Sequence, residues 1–276
     1  MMRRVVAMTW ALLVSGCKAE QAPAETGSRA EIVASVFNGR AGRWVDLTHS
    51  FSSKSIYWPT DTMGFRLEQL AHGHTPGGWF YSSYRLSAAE HGGTHLDAPI
   101  HFAEGALTND ALPLSSLVAP AVVIDVSGRA TADYLLTVDD LVKWEAEHGA
   151  IPKGAMLLVR TGWDAKYADR NAYLGTSLTG ERAVKELHFP GVSAEAAQWL
   201  VDNRTIAALG IDTPSIDYGQ SADFRAHVIL YKKNIPGFEN VANLGALPPV
   251  GAFVVALPMK IEGGSGGPLR IVGYVP

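Results

Sequence analysis

Four side chains that can bind a metal ion or move a proton lie within the eleven residues from 91 to 101. They are His91, His95, Asp97 and His101, and all four have odd numbers. Side chains of an extended backbone alternate between two faces, so the first three would point to one side of an extended segment. Two glycines follow His91, and their small size would let the backbone approach an ion or a substrate. The pattern therefore predicts a metal site on an extended segment.

The donor atoms of this segment indicate which ions it would bind. Imidazole nitrogen together with carboxylate oxygen suits a divalent ion such as zinc, manganese or iron. Three protein ligands would leave positions open for water and substrate, which is typical of a catalytic site. Pro99 interrupts simple extension, so His101 would approach the same point from another direction.

Two other interpretations of the segment compete with this one. A helix would also bring His91 and His95 together, one turn apart, but the two intervening glycines disfavour a helix. The histidines could instead be ordinary loop or core residues. Three of the chain's nine histidines fall in this segment beside an aspartate, which favours metal binding over that interpretation.

The segment resembles the signature of the cyclase family of metal-dependent hydrolases, His-x-Gly-Thr-His-x-Asp-x-Pro-x-His, at every fixed position. The family includes the bacterial kynurenine formamidases and the isatin hydrolases, and the resemblance extends from about residue 44 to the C-terminus. It implies that His91, His95 and Asp97 are metal ligands and that His101 is the general acid/base.

A second pair of residues matches the formamidases farther along the chain. Those enzymes carry a later histidine and glutamate, twelve positions apart, that complete a two-metal site, and His227 and Glu239 have that spacing. Isatin hydrolase is similar but is described with a single manganese, so the resemblance implies one or two ions of Mn²⁺ or Zn²⁺. The spacing alone fixes no geometry, because the chain is expected to change from helix to loop between the two residues. A surface glutamate and a hydrogen-bonded histidine are the alternative.

The resemblance also implies the reaction and the substrate class. The substrate would be a small amide, either an aryl formamide such as N-formylkynurenine or the ring amide of isatin, and the segment 240–270 is more similar to the isatin hydrolases. The metal would activate water, and His101 would take a proton from that water and later give one to the leaving nitrogen. Trp58 stands where the formamidases have an aromatic substrate contact, with loop packing as the alternative for this ring.

Apolar patterning predicts the elements that would position these residues. Short apolar runs are typical of buried strands, and Thr137 and Ser193 have the character of helix caps. The predicted strands are 44–50, 65–70, 79–87, 121–126, 155–161, 206–211, 251–257 and 270–275, and the predicted helices are 137–148, 193–203 and 222–232. This order gives an α/β chain with a mixed sheet. The resemblance implies the swivelling β/β/α cyclase-family fold as a single domain, residues 41–276.

Several polar residues lie in predicted loops. His72 and His74 stand among glycines and a proline, which favours a flexible hairpin tip over a metal-binding pair. Asp212 and Asp217 follow a buried strand, where they would either support metal ligands from behind or only bond the turn backbone. The glycine-rich segment 263–267 is predicted to be a plain turn.

The N-terminal residues resemble an export signal. Two arginines precede an apolar run, 5–14, that is too short to span a bilayer, and residues 14–17 resemble a bacterial lipoprotein cleavage box. Cys17 is the chain's single cysteine, so no intrachain disulfide can form. We expect a signal peptide at 1–16 and a lipidated Cys17 that begins a flexible tether, 17–40. The protein would then be exported, periplasmic and anchored to a bacterial membrane by this lipid alone, with an ordinary secretory signal as the alternative.

Composition limits the possible partners. The chain is 47% hydrophobic and 18% charged, which is typical of a globular enzyme. Removal of the predicted signal peptide would leave 21 basic and 27 acidic residues, a change in formal charge from −4 to −6. Phosphate binding needs a basic face, so this acidic balance argues against nucleic acid as a partner. The expected partners are a small amide and further copies of the chain, in a homodimer or a homotetramer.

Two hypotheses from other functional classes remain open at this point. The protein could be a lipoprotein of the cell envelope that captures a metal or a solute without turnover, or a structural envelope protein in which the cluster only holds a loop. Both hypotheses leave His101 without a role, which distinguishes them from a hydrolase.

Overall fold

The computed structural model describes residues 29–276. The predicted signal peptide, Cys17 and most of the predicted tether lie outside the described residues. The end of the tether differs from the prediction, because Arg29–Phe37 form a helix. This helix is joined to the body of the protein by Trp44, whose Nε1 donates to the Val36 carbonyl at 3.0 Å and whose ring stacks on that of Phe37.

Helices and strands alternate through the middle of the chain, as predicted. The strands are β1 (Arg43–Asp46), β2 (Arg66–His74), β3 (Phe80–Ser87), β4 (His95–Asp97), β5 (Val118–Asp125), β6 (Leu135–Leu136), β7 (Met156–Arg160), β8 (Gly191–Val192), β9 (Ala208–Ile211), β10 (Gly237–Glu239), β11 (Ala252–Pro258) and β12 (Gly266–Val275). The helices are α1 (Arg29–Phe37), α2 (Val138–His148), α3 (Arg170–Leu174), α4 (Glu181–Val184), α5 (Ala194–Asn203) and α6 (Arg225–Tyr231). The side chains of Thr137 and Ser193 cap α2 and α5, which confirms both predicted helix starts.

The main sheet closes on itself. Its strands follow the order β1-β12-β11-β5-β7-β9-β10-β4, and β4 pairs back to β12. Strands β5, β7, β9 and β10 are parallel neighbours, while β4, β11 and β12 are antiparallel to their neighbours. The result is a mixed, barrel-like sheet in a single-domain α/β fold, which confirms the predicted fold class.

Strands β5, β7 and β9 are mainly apolar because both of their faces are covered. In β7, Leu157 and Val159 face a layer that contains α2, α5 and α6, whereas Met156 and Leu158 face the barrel interior with Phe238. The continuous apolar runs seen in the sequence therefore reflect burial on two sides.

Strand register brings two distant parts of the chain to the predicted metal segment. Strand β4 lies between β10 and β12, and His95 is directly opposite Glu239 of β10. On the other side, Asp97 is opposite Gly266 of β12. Directly opposed residues of antiparallel strands have neighbouring side chains, so closure of the barrel carries Glu239 to the signature segment. The prediction of a loop around Glu239 was wrong, since this residue ends β10.

Strands β2 and β3 form a separate two-stranded sheet. The predicted loop at its tip was too long, because β2 continues through His74 and the turn is confined to residues 75–78. His72 lies within the strand and its Nδ1 is 3.2 Å from the Ser82 hydroxyl on β3. Within residues 29–276, no helix has the length and apolar character that crossing a membrane requires.

Candidate active site

The signature segment converges on one carboxylate. Asp97 Oδ1 lies 2.7 Å from Nδ1 of His91 and 3.1 Å from Nε2 of His95. Only residues 95–97 are in a regular strand, and Gly93 has a positive φ of 58°. Convergence was therefore predicted correctly, but it results from a turn at Gly93 followed by β4 and not from uninterrupted extension.

His101 reaches the site from a short 3-10 turn, Pro99–His101, that directly follows β4. Its ring stacks on the ring of His91, with a centroid distance of 3.8 Å and an interplanar angle of 17°. The change of direction at Pro99 thus gives His101 its own angle of approach, as the sequence predicts.

The two residues from the second half of the chain also arrive at this point. Nε2 of His227, on α6, is 3.0 Å from Glu239 Oε1 and 3.4 Å from Asp97 Oδ2. The other oxygen of Glu239, Oε2, is 3.4 Å from Nε2 of His95. All four of these side chains are buried. Two carboxylates and at least three imidazoles therefore share one pocket.

The hydrogen bonds of His95 identify the nitrogen that is available for a metal. Its Nδ1 is 3.0 Å from the Gly93 carbonyl, which can only accept, so Nδ1 carries a proton. In the neutral ring Nε2 is then a bare lone pair. This buried atom has no hydrogen-bond partner within residues 29–276, although it faces the carboxylates of Asp97 and Glu239. A lone pair that faces two carboxylates requires a cation between them, either a proton or a metal ion.

A third carboxylate, that of Asp217, orients the ring of His227. Its Nδ1 is 2.5 Å from Asp217 Oδ2, and Asp217 also accepts the backbone N–H groups of Ala226 and His227 at 3.0 and 3.1 Å. Nε2 is thereby turned toward Asp97 and Glu239. Tyr231, one turn farther along α6, donates its hydroxyl to Asp97 Oδ2 at 3.0 Å. His95, His227 and Asp97 are therefore each oriented by a residue behind them.

The pKa shifts of these groups also show that the site favours positive charge. Burial alone would lower the pKa of His95, but the carboxylates of Asp97 and Glu239 raise it to about 9. The pKa of His227 is raised well above its usual value against the effect of burial, through Asp217, Asp97 and Glu239. Burial and the charge of Asp97 raise the pKa of Glu239. The residues present fit a divalent cation, because the carboxylates favour positive charge at the histidine nitrogens that would bind such an ion.

The metal-free protein is expected to lose stability as pH rises from 6.5 to 9. The pKa of His95 is raised in the folded state to about 9, so its protonation stabilises the fold fully below pH 6.5, and this stabilisation is lost as pH passes 9. A shift of this size corresponds to about 3 kcal/mol. Thermal unfolding of chelator-treated protein at several pH values measures the loss, and the difference from His95→Gln isolates the contribution of this ring. An equal pH dependence in both proteins would contradict the assignment.

A cavity of about 270 Å³ opens above these groups. Its floor is formed by the imidazoles and carboxylates, and aromatic side chains form its walls. Trp58 lines the cavity, with its ring 6.4 Å from that of Phe224, and the ring of Phe102 lies 5.1 Å from that of Phe224. The cavity therefore suits a small planar molecule whose polar group faces the floor.

Some residues of this site were not predicted from the sequence. Phe102 follows His101 directly and could have been proposed from its position. Phe224 could not, because it reaches the cavity through a left-handed backbone, with φ of 49°, just before α6. Asp217 is the supporting residue that the sequence allowed, whereas Asp212 bonds the backbone and hydroxyl of Thr161 and the backbone of Gly162. Asp217 therefore supports the candidate ligand His227, whereas Asp212 bonds the backbone of a turn.

The chain is similar to proteins of a known family. The chain matches the profile of a family described as "Putative cyclase" over residues 45–218. An isatin hydrolase of Roseibium aggregatum is 37% identical over 209 residues, which are 72% of this chain and 77% of the relative. A kynurenine formamidase of Salinibacter ruber is 28% identical over 235 residues, which are 83% of this chain and 95% of the relative.

A solved structure has the same fold. Isatin hydrolase A from Ralstonia solanacearum is 35% identical and superposes with a TM-score of 0.79. The superposition covers 92% of this chain and 100% of that chain.

Proposed function

The chain belongs to the cyclase family, and we propose that it is a metal-dependent hydrolase that opens the C–N amide bond of a small planar substrate of the isatin type. One observation carries this proposal most directly. The Nε2 atoms of two buried histidines, His95 and His227, face two buried carboxylates on the floor of a cavity with aromatic walls. This arrangement can hold a divalent ion and a flat carbonyl compound side by side.

The proposed ligands fall into two sets that share Asp97. His91, His95 and Asp97 form the first set, and His227 and Glu239 extend it. One oxygen of Asp97 faces His91 and His95 and the other faces His227. Asp97 would therefore contribute to holding an ion in either set. We therefore propose Mn²⁺ or Zn²⁺ as the cofactor, with room in the donor set for one ion or two.

The ion and His101 would carry out different parts of the reaction. A divalent ion held by these residues would supply activated water and polarise the substrate carbonyl. Burial in the cavity and the neighbouring histidines lower the pKa of His101 to about 4 against the opposing charge of Asp97, so its ring is neutral at physiological pH. A neutral imidazole can accept the proton of the attacking water and return it to the leaving nitrogen. A protein that only captures a metal would leave this ring without a role.

The two candidate substrates can be separated directly. Similarity to an isatin hydrolase at 37% identity, together with the aromatic walls, supports isatin, while similarity to a kynurenine formamidase at 28% identity supports N-formylkynurenine. Measurement of kcat/KM for both compounds with metal-loaded protein decides between them. We expect the larger value for isatin, and hydrolysis of neither compound would contradict the proposed substrate class.

Trp58→Ala is expected to raise KM for isatin with little change in the metal content. The indole lies in the cavity wall and is half-buried, so it is available to cover a flat substrate. Loss of one aromatic contact of about 1 kcal/mol corresponds to roughly a 5-fold higher KM. Phe253→Ala, at an exposed aromatic position on β11 outside the cavity, is the control. An unchanged KM in Trp58→Ala would mean that this ring only packs the loop.

Glu239→Gln is expected to lower the number of metal ions bound per chain. The amide has the shape of the carboxylate but lacks its charge, and it places a donor where His95 and His227 need an acceptor or a cation. Metal analysis of the purified protein measures the ratio, with Glu181→Gln, at the exposed start of α4, as the control. An unaltered ratio would show that Glu239 is not a ligand.

We also propose a homo-oligomer, a dimer or a tetramer, that uses the β2–β3 hairpin. This hairpin carries a row of exposed apolar side chains, which a soluble monomer rarely leaves uncovered. They are Leu67, Leu70, Trp79, Phe80, Tyr81, Tyr84 and Leu86. Light scattering at micromolar concentration measures the mass in solution, and a monomer mass would contradict the proposal.

The sequence of the N-terminus supports a proposal about location. We propose that residues 1–16 direct export, that Cys17 receives a lipid, and that this lipid anchors the hydrolase domain, 41–276, to a bacterial membrane from the periplasmic side. Cys17→Ser should then move the protein from the membrane fraction to the periplasmic fraction. Equal membrane fractions for both proteins would contradict lipid attachment.

A further inference from the structure

A row of hydrogen bonds leads from the site to the protein surface through two residues without an assigned role. Nε2 of His91 is 2.9 Å from the Ser265 hydroxyl oxygen, and that hydroxyl is 2.6 Å from Glu90 Oε2. The same oxygen of Glu90 accepts the backbone N–H of Ser265 at 3.1 Å. The side chains of His91 and Glu90 are 24% and 29% exposed, so the row runs at the rim of the site.

The direction of each hydrogen bond in this row is fixed by chemistry. An ionised carboxylate can only accept, so the Ser265 hydroxyl must donate its single proton to Glu90. The hydroxyl oxygen is then left as an acceptor toward His91, and Nε2 of His91 must be the donor. In the neutral ring the remaining nitrogen, Nδ1, has no proton, and this is the atom that lies 2.7 Å from Asp97.

The glycines of segment 263–267 leave space for the side chains that form this row of hydrogen bonds. A side chain at Gly264 would place its Cβ 2.6 Å from Glu90 Oε1, and one at Gly266 would place its Cβ 2.6 Å from Cε1 of His91. The Ser265 carbonyl accepts the N–H of Ala98 at 2.8 Å, which fixes the segment to the end of β4. The sequence predicted a plain turn here, whereas the structure shows a turn that holds Ser265 against His91.

We propose that Glu90 and Ser265 are positioning residues that hold His91 in the tautomer with a bare Nδ1, and thereby set the affinity of the site for its metal ion. The inference rests on the proposed metal-dependent function. Partners behind a histidine ligand fix its tautomer and the direction of its ring, and their loss weakens metal binding by about 10- to 100-fold. Neither residue reaches the reacting atoms, so both act through His91.

The test measures the dissociation constant of Mn²⁺ for metal-free protein and for variants. Ser265→Ala removes the hydroxyl and keeps the backbone, and Glu90→Ala removes the acceptor at the outer end. We expect each variant to bind Mn²⁺ about 10- to 100-fold more weakly, and the double variant to be no weaker than the weaker single variant, because both act through one ring. Glu262→Ala, an exposed carboxylate two residues before Gly264, is the control and should bind as the wild type does.

Activity gives a second readout that general damage to the fold would not produce. Hydrolysis by Ser265→Ala should recover toward the wild-type rate as Mn²⁺ is raised, because the residue affects occupancy of the site and not the reacting groups. Unchanged affinity in both single variants would overturn the inference while leaving the proposed function intact. Failure of the wild type itself to bind Mn²⁺ or Zn²⁺ would overturn the proposed function, and this inference with it.

Discussion

Asp97→Asn is expected to abolish stoichiometric metal binding and to lower kcat/KM by about 10³-fold or more, since a metal supplies several kcal/mol of transition-state stabilisation. Asp97 is the group on which the site converges. Its two oxygens face His91, His95, His227 and Tyr231, and its side chain is only 2% exposed. Burial alone would raise the pKa of this carboxyl, but in the metal-free site the charge of His91 and hydrogen bonds from His227, His91 and His95 hold the pKa well below its usual value. Asparagine keeps the shape but supplies one acceptor and no charge.

The Asp97 experiment needs a measure of folding as well as of activity. Far-ultraviolet circular dichroism and metal analysis of the same samples separate loss of the metal from loss of the fold. Asp133→Asn, which changes the same charge at an exposed position, is the control. A metal ratio equal to that of the wild type in Asp97→Asn would contradict the assignment of this residue as the central ligand.

His101→Ala is expected to lower kcat by about 10²- to 10⁴-fold, the usual contribution of a general acid/base, while the metal ratio stays unchanged. The ring lies at the cavity beside His91, directly after the strand that carries Asp97. Its lowered pKa, about 4, keeps it neutral above about pH 5, so it is in the form that accepts a proton over the physiological range. Steady-state kinetics at saturating metal measures the effect on kcat.

The metal ratio of His101→Ala also tests a competing role. His91, Asp97 and His101 could themselves share an ion, because their ligand atoms lie within 4.8 Å of one another. A fall in bound metal in His101→Ala would assign this residue as a ligand and remove it from the proton transfer. His148→Ala, far from the cavity, controls for loss of a histidine.

The local part of the site could be predicted from the sequence because it depends on local geometry. Donor types and spacing in residues 91–101 indicate a metal site, and apolar periodicity indicates the strands and helices on which it is built. The backbone path that brings His91, His95 and Asp97 together was only partly predicted, because the sequence does not reveal that Gly93 adopts a left-handed conformation. Caps at Thr137 and Ser193 were predictable since each requires only a few neighbouring residues.

The remainder of the site depends on closure of the barrel, which no local pattern encodes. Glu239 faces His95 through pairing of β10 with β4, and Ser265 reaches His91 through pairing of β12 with the same strand. Resemblance to a family supplied His227 and Glu239, since their spacing alone fixes no contact. Phe224 and Ser265 had neither local pattern nor resemblance to indicate them.

Hydrolysis of isatin by chelator-treated protein, before and after addition of Mn²⁺ or Zn²⁺, is the most direct measurement of the central claim. We predict that removal of the metal abolishes turnover and that one or both ions restore it in proportion to the metal bound per chain. Turnover that continues unchanged in protein shown to contain no metal would contradict the account.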